Sequence, residues 1–212
     1  MIQKLIDEAL QKEQDERKDR KRSGKYSPSL FGRCYRMQYW NRLDEPISDP
    51  LDARTLRKFK VGKIFHDFVE KLLPNHDVEV KVENEDILGF ADVVTENRVM
   101  DLKSAHTNDF RRFWSKDYDI FKGKETNWLQ VATYAWILKK PECGLCFIGK
   151  DDLCIEEYFS YTEKWIPKIE EEVGNLKKWW LLQELPPAEP RAYNGKECSY
   201  CGYQTKCKGD TK

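Results

Sequence analysis

The chain has 212 residues, 35% of them charged, and its 37 basic and 37 acidic side chains cancel to a formal net charge of zero. One domain is the default at this length, and zero net charge excludes attraction to nucleic acid by overall charge, so any such binding needs a local basic patch. No apolar run reaches the roughly 18 residues that cross a bilayer and the N-terminus is charged rather than signal-like, so a soluble, intracellular protein is expected.

Ile2, Leu5, Ile6, Ala9 and Leu10 recur at helical spacing, so the chain opens with an amphipathic helix that runs into a charged, then basic, stretch over residues 12–22. Residues 1–26 are expected to be this appended helix, with residues 27–212 forming a single domain. Ser27-Pro28 reads as a helix start. The helix predicted over residues 29–43 carries Leu30, Cys34 and Met37 on one face, with Arg33, Arg36 and Arg42 among Tyr35, Tyr39 and Trp40. Pro46 and Pro50 break the chain into a loop.

Residues 51–73 return to helical periodicity, with Thr55, Phe59, Gly62, His66, Val69 and Leu73 on one stripe. His66 is expected to point inward, with Gly62 one turn earlier permitting a close approach. A strand follows, with Val78, Val80 and Val82 on one side and Glu79 exposed on the other.

Residues 87–103, ILGFADVVTENRVMDLK, read with period two as two short strands joined by a turn. The first puts Leu88, Phe90, Asp92 and Val94 on one face; the second puts Val99, Asp101 and Lys103 on one face. With Glu96-Asn97 as a two-residue loop, Val94 lies opposite Val99 and Asp92 opposite Asp101, and directly opposed Cβ atoms are about 4.5–5.5 Å apart. Two carboxylates that close repel by roughly 3 kcal/mol at an effective dielectric near 20. A shared proton relieves this, and so does a divalent cation held between them with Lys103 alongside. The alternative is a surface hairpin whose Asp and Lys face water.

Residues 106–124 read as irregular, aromatic and basic. Arg111, Arg112, Phe113, Trp114 and Tyr118 are candidates to grip single-stranded nucleic acid by charge and stacking, or to form a loop packed by its own aromatics. The following helix, ETNWLQVATYAWILKK, sets Gln130 and Tyr134 one turn apart. A second hairpin turns at residues 150–152. A long helix then follows, with Ile166, Ile169, Val173, Leu176 and Trp180 inward.

Seven cysteines in a reducing compartment favour metal ligation or burial over disulfides. Cys198, Cys201 and Cys207 follow C-x2-C-x5-C in a polar tail, which is metal-ligand spacing. A tetrahedral site needs a fourth thiolate, with Cys34 the remote candidate. Cys143 and Cys146 make a further C-x2-C, but Leu145, Phe147 and Ile148 mark that segment as a strand with its cysteines as small apolar residues. Spacing alone leaves zinc and an iron–sulfur cluster both open.

Together these motifs resemble the PD-(D/E)xK nuclease superfamily, and within it the RecB-like exonucleases that carry an iron–sulfur cluster, such as the CRISPR-associated "Cas four" nucleases. The matching residues are His66 in GKIFHDFVE, Asp92 in GFAD, Asp101-Leu102-Lys103 as D-x-K, Gln130 and Tyr134 as Q-x3-Y, and Cys34 before the core with Cys198, Cys201 and Cys207 after it. They fall in the family's order over residues 27–207. Val99-Met100 stands where the superfamily name has a proline before the aspartate.

The resemblance implies an α/β fold with a restriction-endonuclease-like core: a central mixed sheet flanked by helices, plus a small iron–sulfur subdomain from both chain ends. It implies Mg²⁺ or Mn²⁺ held by His66, Asp92, Asp101 and the Leu102 carbonyl. Asp92, Asp101, Lys103, Gln130 and Tyr134 would be the catalytic set, with a [4Fe-4S] cluster on the four named cysteines. DNA would be gripped by Arg111, Arg112, Trp114, Gln130 and Tyr134. The implied activity is exonucleolytic hydrolysis from DNA ends, 5′ to 3′ and preferring single strands. The setting would be the cytoplasm of a prokaryote or phage-infected host, in repair, recombination, phage DNA metabolism or CRISPR adaptation, beside proteins of those processes. The competing reading is a non-catalytic DNA-end-binding subunit with a degenerate nuclease fold.

Overall fold

A computed structural model describes residues 1–18, 22–73 and 76–210. Helix α1 (Ile2–Lys18) leads, followed by a 3-10 turn at Pro28–Leu30, α2 (Tyr35–Arg42) and α3 (Ala53–Glu70). Strands β1 (Asp77–Glu83), β2 (Leu88–Val94) and β3 (Arg98–Ala105) form a meander. The chain then crosses through α4 (Thr107–Phe113), α5 (Ile120–Gly123) and α6 (Glu125–Ile137). Strands β4 (Glu142–Gly149) and β5 (Ile155–Tyr161), α7 (Ile166–Leu182) and α8 (Gln204–Asp210) complete it.

The five strands lie in the order β1-β2-β3-β4-β5. All neighbours are antiparallel except β3 and β4, which are parallel and therefore need the helical crossover between them. The fold is the expected α/β arrangement of a mixed sheet with helices on its faces. Against one face, α6 packs with Trp128, Val131, Ala132 and Ala135 on Val82, Ala91, Val99, Leu145 and Phe147. Against the other, Phe65 and Val69 of α3, with Leu73, cover Val93, Met100, Leu102, Cys146 and Ile148. Among the described residues no helix is long and apolar enough to cross a membrane.

Several expectations are corrected. The helix expected over residues 29–43 is broken: Gly32, at φ +75°, turns the chain left-handed, a conformation glycine adopts without strain, and α2 starts only at Tyr35. Residues 106–124 contain two short helices rather than irregular chain. His106 and Asp109 form the capping box that starts α4, and the Asp119 carboxylate accepts from Phe121 N–H at the start of α5. Val78 does not share a side with Val80 and Val82. It joins the α3-side cluster, and they lie on the α6 side. Glu79, at φ +50°, interrupts the alternation between them, and β2 reverses at the facing residue, with Ala91 on the α6 side and Val93 on the α3 side. Phe90, expected on a face with Val94, is therefore 49% exposed while Val94 is buried. Phe59 likewise points outward, 62% exposed, because α3 rests on the sheet through its C-terminal half and carries α1 along its N-terminal half. Asp7 pairs there with Arg57, and Glu13 with Lys60 at 2.7 Å. The basic residues at 19–21 lie outside the described residues.

Candidate active site

The turn between β2 and β3 has the expected register. Thr95 N–H donates to the Arg98 carbonyl at 2.8 Å, and Val94 pairs with Val99. The ladder stops one pair later, at Val93 and Met100. Beyond it the Asp92 carboxylate replaces backbone pairing, with Oδ2 accepting from the Leu102 N–H at 2.7 Å. Asp101, on the same stretch of β3, is 2% exposed. Its Oδ1 accepts from Lys103 Nζ at 2.7 Å, and among the described residues its buried Oδ2 has no hydrogen-bond partner. A buried carboxylate oxygen without a donor costs free energy on the order of 1–3 kcal/mol or more, so a ligand for it is the economical explanation.

His66 comes from α3 on the opposite side of the gap, with Nδ1 4.0 Å from Asp92 Oδ2. Gly62 one turn earlier lies over β3, where a Cβ would meet Ser104 Oγ at 3.8 Å. From the α6 side Tyr134 reaches in, its phenol interacting with Gln130 and with the backbone of Phe90. That position depends on Gly89, where a Cβ would fall 2.5 Å from Tyr134 Oη. The structure thus gathers His66, Asp92, Asp101, Lys103 and Tyr134, from four elements, around one opening in the sheet.

Burial and the neighbouring Asp101 carboxylate push Asp92 well above the usual carboxylate range, to about 7. Burial opposes the charge on Lys103, but Asp101 and Asp92 outweigh it and raise the lysine's pKa, so it stays an ammonium. Burial and then Lys103 lower the pKa of His66, which favours the neutral imidazole that ligates metals. Burial followed by Asp101 raises the pKa of Tyr134, which stays a hydroxyl donor.

The donor set suits a hard divalent cation. It offers two carboxylates that share excess negative charge, one buried oxygen without a donor, and a neutral imidazole beside them. Lys103 and the Leu102 N–H each engage one carboxylate oxygen, and among the described residues no three His, Cys, Asp or Glu side chains are grouped as they would be around one ion.

Of the expected DNA contacts, Arg111 and Arg112 lie exposed in the last turn of α4. Arg112 stacks 4.7 Å over Tyr118. Trp114 is 59% exposed, but its indole N–H is donated to Glu156 on β5, while Phe110 and Phe113 belong to the core. The segment is therefore part packing and part surface.

Cys34, Cys201 and Cys207 enter one cluster with Met37, Tyr39, Trp40 and Tyr203, away from the sheet. Burial raises the pKa of Cys201, and the neighbouring Cys34 and Cys198 add to the shift. Cys198 is exposed outside this cluster, and among the described residues no three cysteines are grouped as they would be around one metal ion. Cys143 and Cys146 lie in the two separate sheet clusters, their thiols pushed up to about 12 by burial, and behave as small apolar residues.

The sequence reading missed two charged residues near the site. Glu79, although exposed, acts electrostatically on Asp92, His66 and Glu70. Its left-handed backbone left no mark in the valine alternation. Lys124, over the rings of Phe113 and Phe147, feels the charges of Arg112 and Lys103, and its only signal is its place just before the Gln130–Tyr134 helix.

No protein-family model and no curated protein matches the chain by sequence. Solved structures do match its fold. The crystal structure of SSO0001 shares 19% identity over 98% of this chain and 96% of that one, with a TM-score of 0.60. A phage related exonuclease from Haemophilus somnus 129PT shares 16% identity over 69% of this chain and 78% of its own, with a TM-score of 0.50. At these identities the likeness is one of fold: this chain has an α/β fold in common with a phage-related exonuclease.

Proposed function

We propose that the protein is a metal-dependent deoxyribonuclease of the PD-(D/E)xK type that hydrolyses phosphodiester bonds from DNA ends. The observation that carries this reading is the buried Asp101 carboxylate beside Asp92, with one oxygen on Lys103 and the other without a donor among the described residues. The shared fold with a phage related exonuclease supports it. Asp92, Asp101, His66 and the Leu102 carbonyl would hold Mg²⁺ or Mn²⁺. Such an ion, when bound, lowers the pKa of its water and neutralises phosphate charge. Lys103, kept cationic by Asp101, places a positive charge where negative charge grows on the scissile phosphate. Tyr134, held by Gln130 and the Phe90 backbone and admitted by Gly89, would orient Lys103, the metal shell or the DNA backbone. Arg111, Arg112 and Trp114 offer charge and a stacking face to a strand leaving the site.

The finer reading follows the resemblance: a RecB-like exonuclease of the "Cas four" kind, cutting 5′ to 3′ with single-strand preference. Its [4Fe-4S] cluster would sit on Cys34, Cys198, Cys201 and Cys207, and it would serve repair, recombination, phage DNA metabolism or CRISPR adaptation. What supports the cluster assignment is the C-x2-C-x5-C spacing and the resemblance; Cys34, Cys201 and Cys207 share one packed cluster, and Cys198 lies outside it. The test is degradation of end-labelled linear DNA against circular and end-blocked DNA. Loss of linear DNA only, and only with Mg²⁺ or Mn²⁺, is expected. Metal-independent cutting, or no cutting of any form with either metal, refutes the reading.

A further inference from the structure

Lys124 caps the N-terminus of α6, and its Nζ lies 5.3 Å from the ring centroids of both Phe113 and Phe147. Those rings pack 4.5 Å apart, and Phe147 on β4 is the cross-strand neighbour of Lys103 on β3. Neighbouring strands lie about 4.8 Å apart. The ammonium of Lys124 is therefore held on a two-ring platform, one ring of which stands on the strand residue paired with the proposed catalytic lysine.

Aromatic faces orient a cation but do not neutralise it. Among the described residues, no carboxylate forms an ion pair with Lys124. The charged groups that act on it are Asp109, Arg112 and Lys103. Asp109 already accepts from the His106 N–H at 3.1 Å at the start of α4, and Asp101 is matched to Lys103. Lys124 is thus partly buried with no contact ion pair among the described residues; Asp109 is the carboxylate that acts on it, and Arg112 of α4 is exposed. Tyr118 Oη, beneath Arg112, is buried there without a hydrogen-bond partner among the described residues. Partial burial of the Lys124 cation without a contact ion pair is costly, and an anionic ligand lowers that cost. Burial lowers the pKa of Lys124, with Asp109 opposing the shift and Arg112 and Lys103 adding to it.

We propose that Lys124, with Arg112 of α4, binds a second phosphate of the nucleic-acid strand, apart from the phosphate addressed by Lys103. This rests on the nuclease reading above and adds a subsite to it. The phosphate is either an internal linkage other than the scissile one or the terminal phosphate of the strand.

The full-length wild type, Lys124→Gln and Lys124→Arg are compared on single-stranded oligonucleotides. Each carries one neutral methylphosphonate linkage at a defined position, and each is made with a 5′-phosphate or a 5′-hydroxyl. Binding is measured with calcium in place of magnesium, and cleavage with magnesium. Lys124→Gln is expected to bind about tenfold more weakly and to lower the slope of log K against log salt by about 0.7, the share of one single-strand phosphate contact. It should also lose sensitivity to one modification that weakens the wild type and Lys124→Arg alike. If that modification is a methylphosphonate, the ligand is an internal linkage; if it is the 5′-hydroxyl, it is the terminal phosphate. A wild-type salt slope in Lys124→Gln, with sensitivity kept at every position, overturns the subsite. Absence of cleavage in all three proteins overturns the nuclease reading instead, and the binding arms still decide the role of Lys124.

Discussion

Replacing Asp92 by asparagine should make the metal-free protein more stable near neutral pH, and by an amount that grows with pH. Asp92 is pushed from 3.8 to about 7 by burial and by Asp101. The folded protein therefore holds a proton that the unfolded chain releases. For a carboxylate shifted upward the sign is opposite to the usual one: stability is lost as pH rises from the unfolded value to the folded one. At about 1.36 kcal/mol per unit, a shift of roughly three units costs on the order of 4 kcal/mol once pH exceeds about 7. Asparagine keeps an oxygen to accept the Leu102 N–H, now made by Oδ2 at 2.7 Å, and removes the charge.

The assay is thermal melting of both proteins in chelator from about pH 5 to pH 7. Over those two units the difference in stability should widen by roughly 2–3 kcal/mol, or about 5–10 °C for a chain of this size. Surface carboxylates of the ordinary sign, such as Glu83, held down to about 2 by Lys81 and Lys25, are common to both proteins and cancel. Adding Mg²⁺ or Mn²⁺ should stabilise the wild type by mass action and leave the variant nearly unmoved. A difference in melting temperature that stays flat across this pH range refutes the account of Asp92, as does an equal metal response in both proteins.

Asp101→Ala and Lys103→Ala should each lower the rate of DNA cleavage by about 10²–10³ or more, with metal-induced stabilisation lost in the first and kept in the second. Wild-type rates in both variants place the chemistry elsewhere. Gly89→Ala would drive a methyl group to 2.5 Å from Tyr134 Oη. It should lower stability by about 1–3 kcal/mol and slow cleavage, and an unchanged melt and rate would show that Tyr134 has room to withdraw. As purified without oxygen, the protein should be brown and carry about four irons per chain. Cys34→Ser should lose the colour and melt lower while Cys146→Ser keeps its iron, and stoichiometric zinc without iron contradicts the cluster.

What the sequence shows and hides in this protein follows from the range of the interaction concerned. The β2–β3 turn was legible because its register is set within six residues, by the valines on either side and the Thr95–Arg98 closure. The reversal at Glu79 and Asp92 was not, since a left-handed residue other than glycine leaves a valine pattern unchanged. The sequence marks Ile166, Ile169, Val173, Leu176 and Trp180 as the inward stripe of α7, yet Glu172 on the same helix is 2% exposed. Burying that charge requires partners, and they lie far away in sequence. Arg191 Nη2 meets it at 2.7 Å, Gln38 Nε2 at 2.8 Å and the Gly32 N–H at 3.0 Å. Glu197 repeats the device, accepting from the Cys34 N–H at 2.9 Å and the Arg191 N–H at 3.0 Å. Removing either carboxylate would strand buried donors at a cost of about 1–3 kcal/mol each. These two acids therefore tie residues 32–38 to the C-terminal tail. The C-x2-C-x5-C spacing is plain in the sequence, but the packing of Cys34 in one cluster with Cys201 and Cys207 depends on glutamates that the sequence alone presents as ordinary surface charge.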